Sequence, residues 1–319
     1  MSRSAEPLAS PREPGGDVPI ALASEARDEF QAALLSWYGT HRRDLPWRHT
    51  PTPYRVLLSE IMLQQTQVDR VVPYFEEFTA RFPDFNALAE ASRADVIRLW
   101  AGLGYNRRAV QLHELARIVV ARYRGELPAD RAALLALPGI GPYTAGAILS
   151  IAFGKDEPAL DTNVRRVVGR VAFADPPSPA ALTAAATQLV PAGRAADWNQ
   201  ALMDLGSAIC VGRHPRCLIC PLQAHCRSAG QTFEPASARR TQPLEPFQQS
   251  NRFYRGRLLS QLRALPSGMM VPLEELAATL AARGVAEPRA GWEVVGAGLA
   301  RDGLAVIDEG AAGIALGLA

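Results

Sequence analysis

Leu137-Pro138-Gly139-Ile140-Gly141 is a short turn between two stretches that have the apolar periodicity of helices, and it predicts a helical hairpin. Pro142 follows at a position that suits the first turn of a helix, and the next helix is expected over Tyr143–Phe153. Glycine allows close backbone approach, and a helix N-terminus presents N–H groups to an anion. The turn therefore predicts contact with a DNA phosphate, although a plain helix–helix connection has the same pattern. The residues assigned to this contact are Leu137, Gly139, Ile140 and Gly141.

All four cysteines lie downstream of this turn in one segment, residues 210–226, with the spacing C-x6-C-x2-C-x5-C. The first ten residues have no apolar stretch typical of a secretory signal, so we expect a cytoplasmic, nucleoid-associated protein of bacterial type. In a reducing compartment, clustered cysteines bind metal more often than they form disulfides. A single CxxC does not fit a paired-CxxC zinc site, whereas four thiolates from one loop suit a [4Fe–4S] cluster, with zinc as the alternative. The expected ligands are Cys210, Cys217, Cys220 and Cys226.

The distribution of charge is more informative than its sum, because the net charge of the 319 residues is only +2. Arg213 and Arg216 lie between the first two cysteines. They are expected to contact a DNA backbone, and the alternative is a solvated surface loop. Lys155 is the single lysine, which limits the side chains able to form a Schiff base. No apolar run approaches the roughly 20 residues that span a bilayer, so no membrane association is expected.

The pattern along the chain predicts an all-α protein with a small appended domain. We expect a disordered tail at residues 1–24, a helical domain at 25–229 that includes the cysteine segment, and a polar, proline-bearing linker at 230–251. Residues 252–319 resemble a winged-helix module that binds DNA or a partner, or a helical cap without a ligand. Its expected elements are helices over Tyr254–Leu265, Leu273–Arg283 and Trp292–Asp302, and hairpin strands over Leu304–Ile307 and Gly313–Leu316.

Two acidic residues have contrasting surroundings. Glu60 has apolar neighbours at helical spacing, which favours a protonated acid, although a buried ion pair is the alternative. Asp161 precedes an apolar helical stripe, where a helix N-terminus favours the ionised form, although an ordinary N-cap is the alternative. Two carboxyl groups with opposed protonation states suit N-glycosidic cleavage, in which one protonates the leaving base and the other stabilises the positive sugar.

Six blocks between about Phe30 and Arg227 resemble the helix-hairpin-helix (HhH-GPD) DNA glycosylases that carry an iron–sulfur cluster, most closely the A/G-specific adenine DNA glycosylases. The blocks are Leu45–Trp47, Ser59–Val68, Trp100–Tyr105, Leu137–Gly146, Asn199–Gly206 and the cysteine segment. The resemblance implies a two-lobed helical fold with a six-helix barrel and an iron–sulfur lobe. It also implies a double-stranded DNA partner containing a mispaired or damaged base, bound by a monomer.

The resemblance also implies roles for individual residues. Glu60 would protonate the adenine, Asp161 would stabilise the oxocarbenium ion, and Tyr143 would orient the aspartate. Gln64, Gln65 and Tyr105 would fill the space that the base leaves in the duplex, since the base must leave the stack for its glycosidic bond to be reached. Tyr143 stands where some relatives carry lysine, which favours a monofunctional hydrolase without a lyase step.

Three features depart from the family pattern. Thr162 replaces the usual glycine after the catalytic aspartate, and Asn106 replaces a usual tyrosine. The larger nudix-like C-terminal domain that recognises oxidised guanine is not evident. The resemblance nevertheless implies excision of adenine opposite guanine or oxidised guanine. The alternatives are a glycosylase for thymine or uracil opposite guanine and a non-catalytic protein that senses DNA damage.

Overall fold

The computed structural model describes residues 24–173, 175–231, 233, 246–310 and 313–319. Almost all of the predicted tail at 1–24, and most of the predicted linker at 230–251, lie outside these residues. Within them, no helix is both long and apolar enough to cross a membrane.

The described chain is mostly helical, in agreement with the sequence. The α-helices are α1 (Ser24–His41), α2 (Pro46–His49), α3 (Pro53–Leu63), α4 (Val68–Arg81), α5 (Phe85–Glu90), α6 (Arg93–Leu99), α7 (Arg107–Tyr123), α8 (Arg131–Leu135), α9 (Pro142–Ala147), α10 (Thr162–Ala172), α11 (Pro179–Leu189), α12 (Ala195–Ala208), α13 (Asn251–Ala264), α14 (Leu273–Ala282) and α15 (Trp292–Arg301). The strands are β1 (Val271–Pro272), β2 (Ala305–Gly310) and β3 (Gly313–Leu318). A π-helical turn over Ile148–Ala152 continues α9.

The chain divides into two compact units, as the two-lobed prediction requires. The first unit contains α1, α10, α11, α12 and the cysteine segment. Its core forms because α10 places a valine stripe on one face, where it packs with Phe30 and Leu34 of α1 and Trp198 of α12. Phe30 and Trp198 meet edge to face at 5.4 Å between ring centroids.

The second unit contains α2–α9 and the C-terminal elements. Its largest core is built from fully buried aromatic and aliphatic side chains of α3, α4 and α7, including Leu57, Phe75, Phe78 and Leu112. The helices begin where short side chains cap them: Thr52, Asp84, Ser92 and Asp130 each accept a hydrogen bond from the backbone three residues later.

The three helices and the hairpin predicted for residues 252–319 are present, as α13–α15 and β2–β3. The sequence did not indicate the two-residue strand β1, which completes an antiparallel sheet in the order β1-β3-β2. These elements share a buried cluster with Ala94, Ile97 and Val110 of α6 and α7.

Candidate active site and cysteine segment

Glu60 lies on the buried face of α3 and is 7% exposed, as its apolar neighbours predicted. Tyr143 is in the first turn of α9, directly after the hairpin turn, and its hydroxyl donates a hydrogen bond to Glu60 Oε2 at 2.5 Å. The family resemblance implied that Tyr143 orients Asp161, and the sequence analysis did not predict a contact between Tyr143 and Glu60. The hairpin therefore does more than form a turn, because it also places the Tyr143 phenol beside the buried Glu60 carboxyl.

The hairpin turn offers backbone rather than side chains to a ligand. The side chains of Leu137 and Ile140 are buried, at 4% and 6% exposure. Gly139 has φ +80°, in the region that favours glycine, and a Cβ there would lie 3.7 Å from Gln111. Among the described residues, the N–H groups of Gly139 and Gly141 donate no hydrogen bond. These two donors are the ones that suit a phosphate oxygen.

Arg108 is a buried residue that the sequence analysis missed. Its guanidinium donates to the carbonyl oxygens of Ile61 (2.7 Å), Met62 (2.9 Å) and Gln64 (2.6 Å) at the end of α3. It also donates to Gly104 O at 3.1 Å and to Thr66 Oγ1 at 3.1 Å. Burial lowers the pKa of Arg108 to about 10. One cation thus caps α3 and joins the Gln64–Thr66 turn to the Gly104–Tyr105 turn.

The three residues expected to fill a gap in the duplex line one groove of the second unit. Gln65 and Tyr105 have positive φ angles of 56° and 45°, which are uncommon for residues with a side chain, so both turns are constrained. Tyr105 is 48% exposed, and the Arg108 guanidinium lies 5.5 Å from its ring centroid. The structure brings Gln64, Gln65 and Tyr105 together, and Arg108 donates hydrogen bonds to both of the turns that carry them.

Asp161 is the N-cap of α10 in the first unit. Its carboxylate accepts hydrogen bonds from Val164 N at 2.6 Å and Asn163 Nδ2 at 3.1 Å. Burial raises the pKa of the Asp161 carboxyl, and the two hydrogen bonds lower it by less than burial raises it. The N-cap expected from the sequence is present. The helix N-terminus lowers the pKa of Asp161, as expected, but burial raises the pKa by more.

Polar contacts connect Asp161 to the cysteine segment through α10. Arg166 donates to Asn163 Oδ1 at 2.7 Å, Gly206 O at 2.7 Å and Cys210 O at 2.8 Å. A Cβ at Gly206 would lie 2.7 Å from Asn163 Cβ, so only glycine permits this approach of α12. The sequence analysis missed Asn163 and Arg166, although the Asp-x-Asn-x2-Arg spacing puts all three at the start of one helix.

The four cysteines are free thiols that line one pocket of the first unit. Arg170, one turn after Arg166, donates to Cys210 Sγ at 3.4 Å, Val211 O at 2.7 Å and Gly212 O at 2.6 Å. Burial, with a smaller effect of the neighbouring cysteines, raises the pKa of the Cys220 thiol to about 11. Within the described ranges, no three cysteine, histidine or carboxylate side chains are drawn together closely enough to hold an ion.

Three cationic residues flagged by the sequence are at the surface. Arg213 and Arg216 are exposed in the cysteine segment. Lys155, in the second unit, donates from Nζ to Ala129 O at 2.5 Å. The single lysine amine is therefore held by a backbone carbonyl.

Residues 58–192 match the model of the HhH-GPD superfamily of base excision DNA repair proteins. The chain is also 44% identical over 234 residues to the adenine DNA glycosylase of Mycolicibacterium smegmatis, which covers 72% of this chain and 79% of that protein. The chain belongs to the HhH-GPD superfamily. The matched segment contains Glu60, the hairpin, Tyr143 and Asp161, whereas the cysteines lie beyond it.

Two further members of the superfamily extend the comparison. The human adenine DNA glycosylase is 44% identical over 213 residues, 62% of this chain and 39% of that protein. The solved structure of a thermostable thymine-DNA glycosylase aligns with a TM-score of 0.60 at 35% identity, over 64% of this chain and 97% of that one. The resemblance seen in the sequence is confirmed at the level of the family and of the fold.

The donor set of this HhH-GPD protein has the chemistry of the iron–sulfur cluster that the sequence predicts, although among the described residues the thiols are not gathered closely enough to hold an ion. All four thiols line the same pocket, and its other walls include apolar side chains such as Leu205, Ile209 and Leu222. Arg170 provides an N–H donor to one sulfur, the kind of contact that stabilises cluster thiolates.

Proposed function

We propose that this protein is a monofunctional adenine DNA glycosylase that hydrolyses the N-glycosidic bond of adenine opposite guanine or oxidised guanine. The proposal rests on the hydrogen bond of 2.5 Å from the Tyr143 hydroxyl to Oε2 of the buried Glu60 carboxyl. Tyr143 comes directly after a turn of the type that binds phosphate. Curated relatives in bacteria and mammals are named adenine DNA glycosylase, and their names support adenine as the base.

The chemistry divides between two carboxyl groups. Glu60 gives its proton to the adenine ring, which makes the base a better leaving group. As the bond breaks, negative charge develops on Glu60, and the Tyr143 O–H stabilises it. The Asp161 carboxylate stabilises the positive charge of the sugar, and water completes the hydrolysis. The base is reached only after it leaves the duplex, and Gln64, Gln65 and Tyr105 fill the vacated space.

The absence of a lyase step follows from the available nucleophiles. A lyase needs an amine that attacks the sugar. The only lysine is bound to a backbone carbonyl, and the first turn of α9 carries Tyr143 instead. These residues support hydrolysis that leaves an intact abasic strand.

Cys210, Cys217, Cys220 and Cys226 are proposed to hold a [4Fe–4S] cluster. The cluster would supply iron–thiolate bonds that cross-link the segment. Arg213 and Arg216, exposed on that segment, then suit contact with the DNA backbone. We further propose that the protein acts as a monomer in the cytoplasm, associated with the nucleoid.

A panel of labelled duplexes tests the proposal. Adenine release is measured with guanine, oxidised guanine, thymine or cytosine opposite the adenine, with and without alkali after the reaction. The expected result is release from the guanine and oxidised-guanine pairs, and strand breaks only after alkali. Breaks without alkali contradict the monofunctional assignment, and a Glu60→Gln variant that retains full activity contradicts the proton donor.

Thymine opposite guanine is the second candidate substrate. It is favoured by the likeness to a thymine-DNA glycosylase at 35% identity. The same panel with thymine and uracil opposite guanine decides between the two, since adenine should remain unexcised if this candidate is correct.

A further inference from the structure

Two arginines cap each other's helices between α6 and α13. Arg98, in the last turn of α6, donates to Arg263 O at 3.2 Å and Leu265 O at 2.8 Å at the end of α13. Arg263, in the last turn of α13, donates to Ile97 O at 3.1 Å and to Asn106 Oδ1 at 2.8 Å. Each cation therefore satisfies carbonyl groups at the negative end of the other helix.

An apolar contact accompanies these hydrogen bonds. Ile97 is fully buried and belongs to the same cluster as Leu258 and Leu262 of α13. A Cβ at Gly303 would lie 3.0 Å from Val110 of α7, so the loop before β2 also packs closely on the core. The C-terminal elements are thus fixed to α6 and α7 rather than carried on a tether.

This fixed arrangement completes a groove of about 950 Å³ that has walls from both parts of the second unit. Its single acid is Asp302, which pairs with Arg255. Gln111 lines this groove and also a neighbouring groove of about 820 Å³ that reaches Pro138 of the hairpin. The arginines of the larger groove are Arg70, Arg107, Arg108, Arg252, Arg255 and Arg263.

The positive charge of the groove lining indicates that the ligand of the groove is a polyanion. The lining contains six arginines and one acid, and the groove shares Gln111 with the groove that reaches Pro138, in the turn that suits a phosphate oxygen. Helix α13 carries four arginines and no acid, whereas α15, the third helix of the C-terminal domain, has Arg301 as its only cation. A DNA contact from this domain is therefore expected from α13.

We propose that the C-terminal domain is a built-in part of the DNA-binding face, and that Arg252 of α13 contacts a phosphate of the duplex in this groove. Arg252 is exposed, and its guanidinium lies 5.4 Å from the ring centroid of Tyr105. Among the described residues Arg252 makes no ion pair, so its charge is available to a ligand. The proposal adds a DNA contact outside the catalytic residues of the proposed function.

Salt dependence of binding tests this contact. Affinity of the full-length protein for a duplex that contains an abasic-site analogue is measured by fluorescence anisotropy over a range of salt concentrations. Each phosphate contact that is lost lowers the slope of log K against log salt by about 1. Arg252→Gln is expected to lower the slope by that amount. Arg257→Gln is the matched control, because Arg257 is also exposed on α13 and lies 5.1 Å from the Phe253 ring, but outside the groove.

The outcomes separate this proposal from the proposed function. An unchanged slope for Arg252→Gln, or an equal loss for Arg257→Gln, overturns the contact. A lower slope for Arg252→Gln alone supports it, even if the wild-type protein releases no adenine, because the probe contains no target base. Both side chains are at the surface, so thermal unfolding should show that the variants remain folded.

Discussion

The hydrogen bond from Tyr143 to Glu60 makes a quantitative prediction about catalysis. Tyr143→Phe removes one oxygen and leaves the ring, so the fold of α9 is retained. The Glu60 carboxyl is 7% exposed, and the phenol donor at 2.5 Å is within hydrogen-bonding range of Oε2. Without that donor, the negative charge that develops on Glu60 during proton transfer is less well stabilised.

The size of the effect follows from the type of bond. A hydrogen bond to a charged group contributes about 1.5–3 kcal/mol. Because each 1.36 kcal/mol of barrier is tenfold in rate, the single-turnover rate of adenine release should fall by roughly 10- to 150-fold. DNA affinity should change little, since the group acts on the reacting base.

Tyr54→Phe is the matched control for this variant. Tyr54 is on the same helix as Glu60, is 5% exposed, and donates to Phe82 O at 2.6 Å, so its removal also deletes a buried phenol bond. The expected cost is about 1 kcal/mol of stability with unchanged adenine release. Rapid-quench kinetics in excess enzyme measure the rate. If Tyr143→Phe retains the wild-type rate, or loses no more than Tyr54→Phe, the proposed role of Tyr143 is wrong.

Three other changes have expected outcomes. Arg108→Met should lower the free energy of unfolding in urea by about 2–4 kcal/mol, because the carbonyl groups at the end of α3 lose their hydrogen-bond donor. The control Arg107→Met should change the free energy of unfolding by less than about 0.5 kcal/mol. Equal effects of the two substitutions would contradict the capping role of Arg108. Asp161→Asn should abolish adenine release and keep DNA binding. Burial raises the folded-state pKa of Asp161, so wild-type stability from this group is present at low pH and lost as pH rises through that pKa. The thermal midpoint of the Asn variant should therefore gain on that of the wild type as pH rises above the ordinary pKa of an aspartate, and a change in the opposite direction refutes the assignment. Arg170→Ala should lower the iron content and brown absorbance of purified protein, while Arg165→Ala, on the same helix, should leave both unchanged; equal iron in the two variants would remove Arg170 from the support of the cluster.

Features that depend on neighbouring residues could be predicted from the sequence. The hairpin turn, the N-cap at Asp161, the three C-terminal helices and the spacing of the cysteines were all readable, because each follows from residues within one or two turns of each other. The buried position of Glu60 was readable for the same reason, since its own helix supplies the apolar neighbours.

Contacts between groups that are far apart in the sequence could not be predicted, because they depend on how the chain packs. Arg107 and Arg108 are adjacent and chemically identical, yet Arg107 is at the surface and Arg108 is buried. Arg108 donates hydrogen bonds to five carbonyl and hydroxyl oxygens at 3.1 Å or less. Tyr143 and its partner Glu60 are 83 residues apart, and burial affects the pKa of Asp161 more than the hydrogen bonds from its own helix do. Desolvation and long-range hydrogen bonds are properties of the packed chain, and no local pattern encodes them.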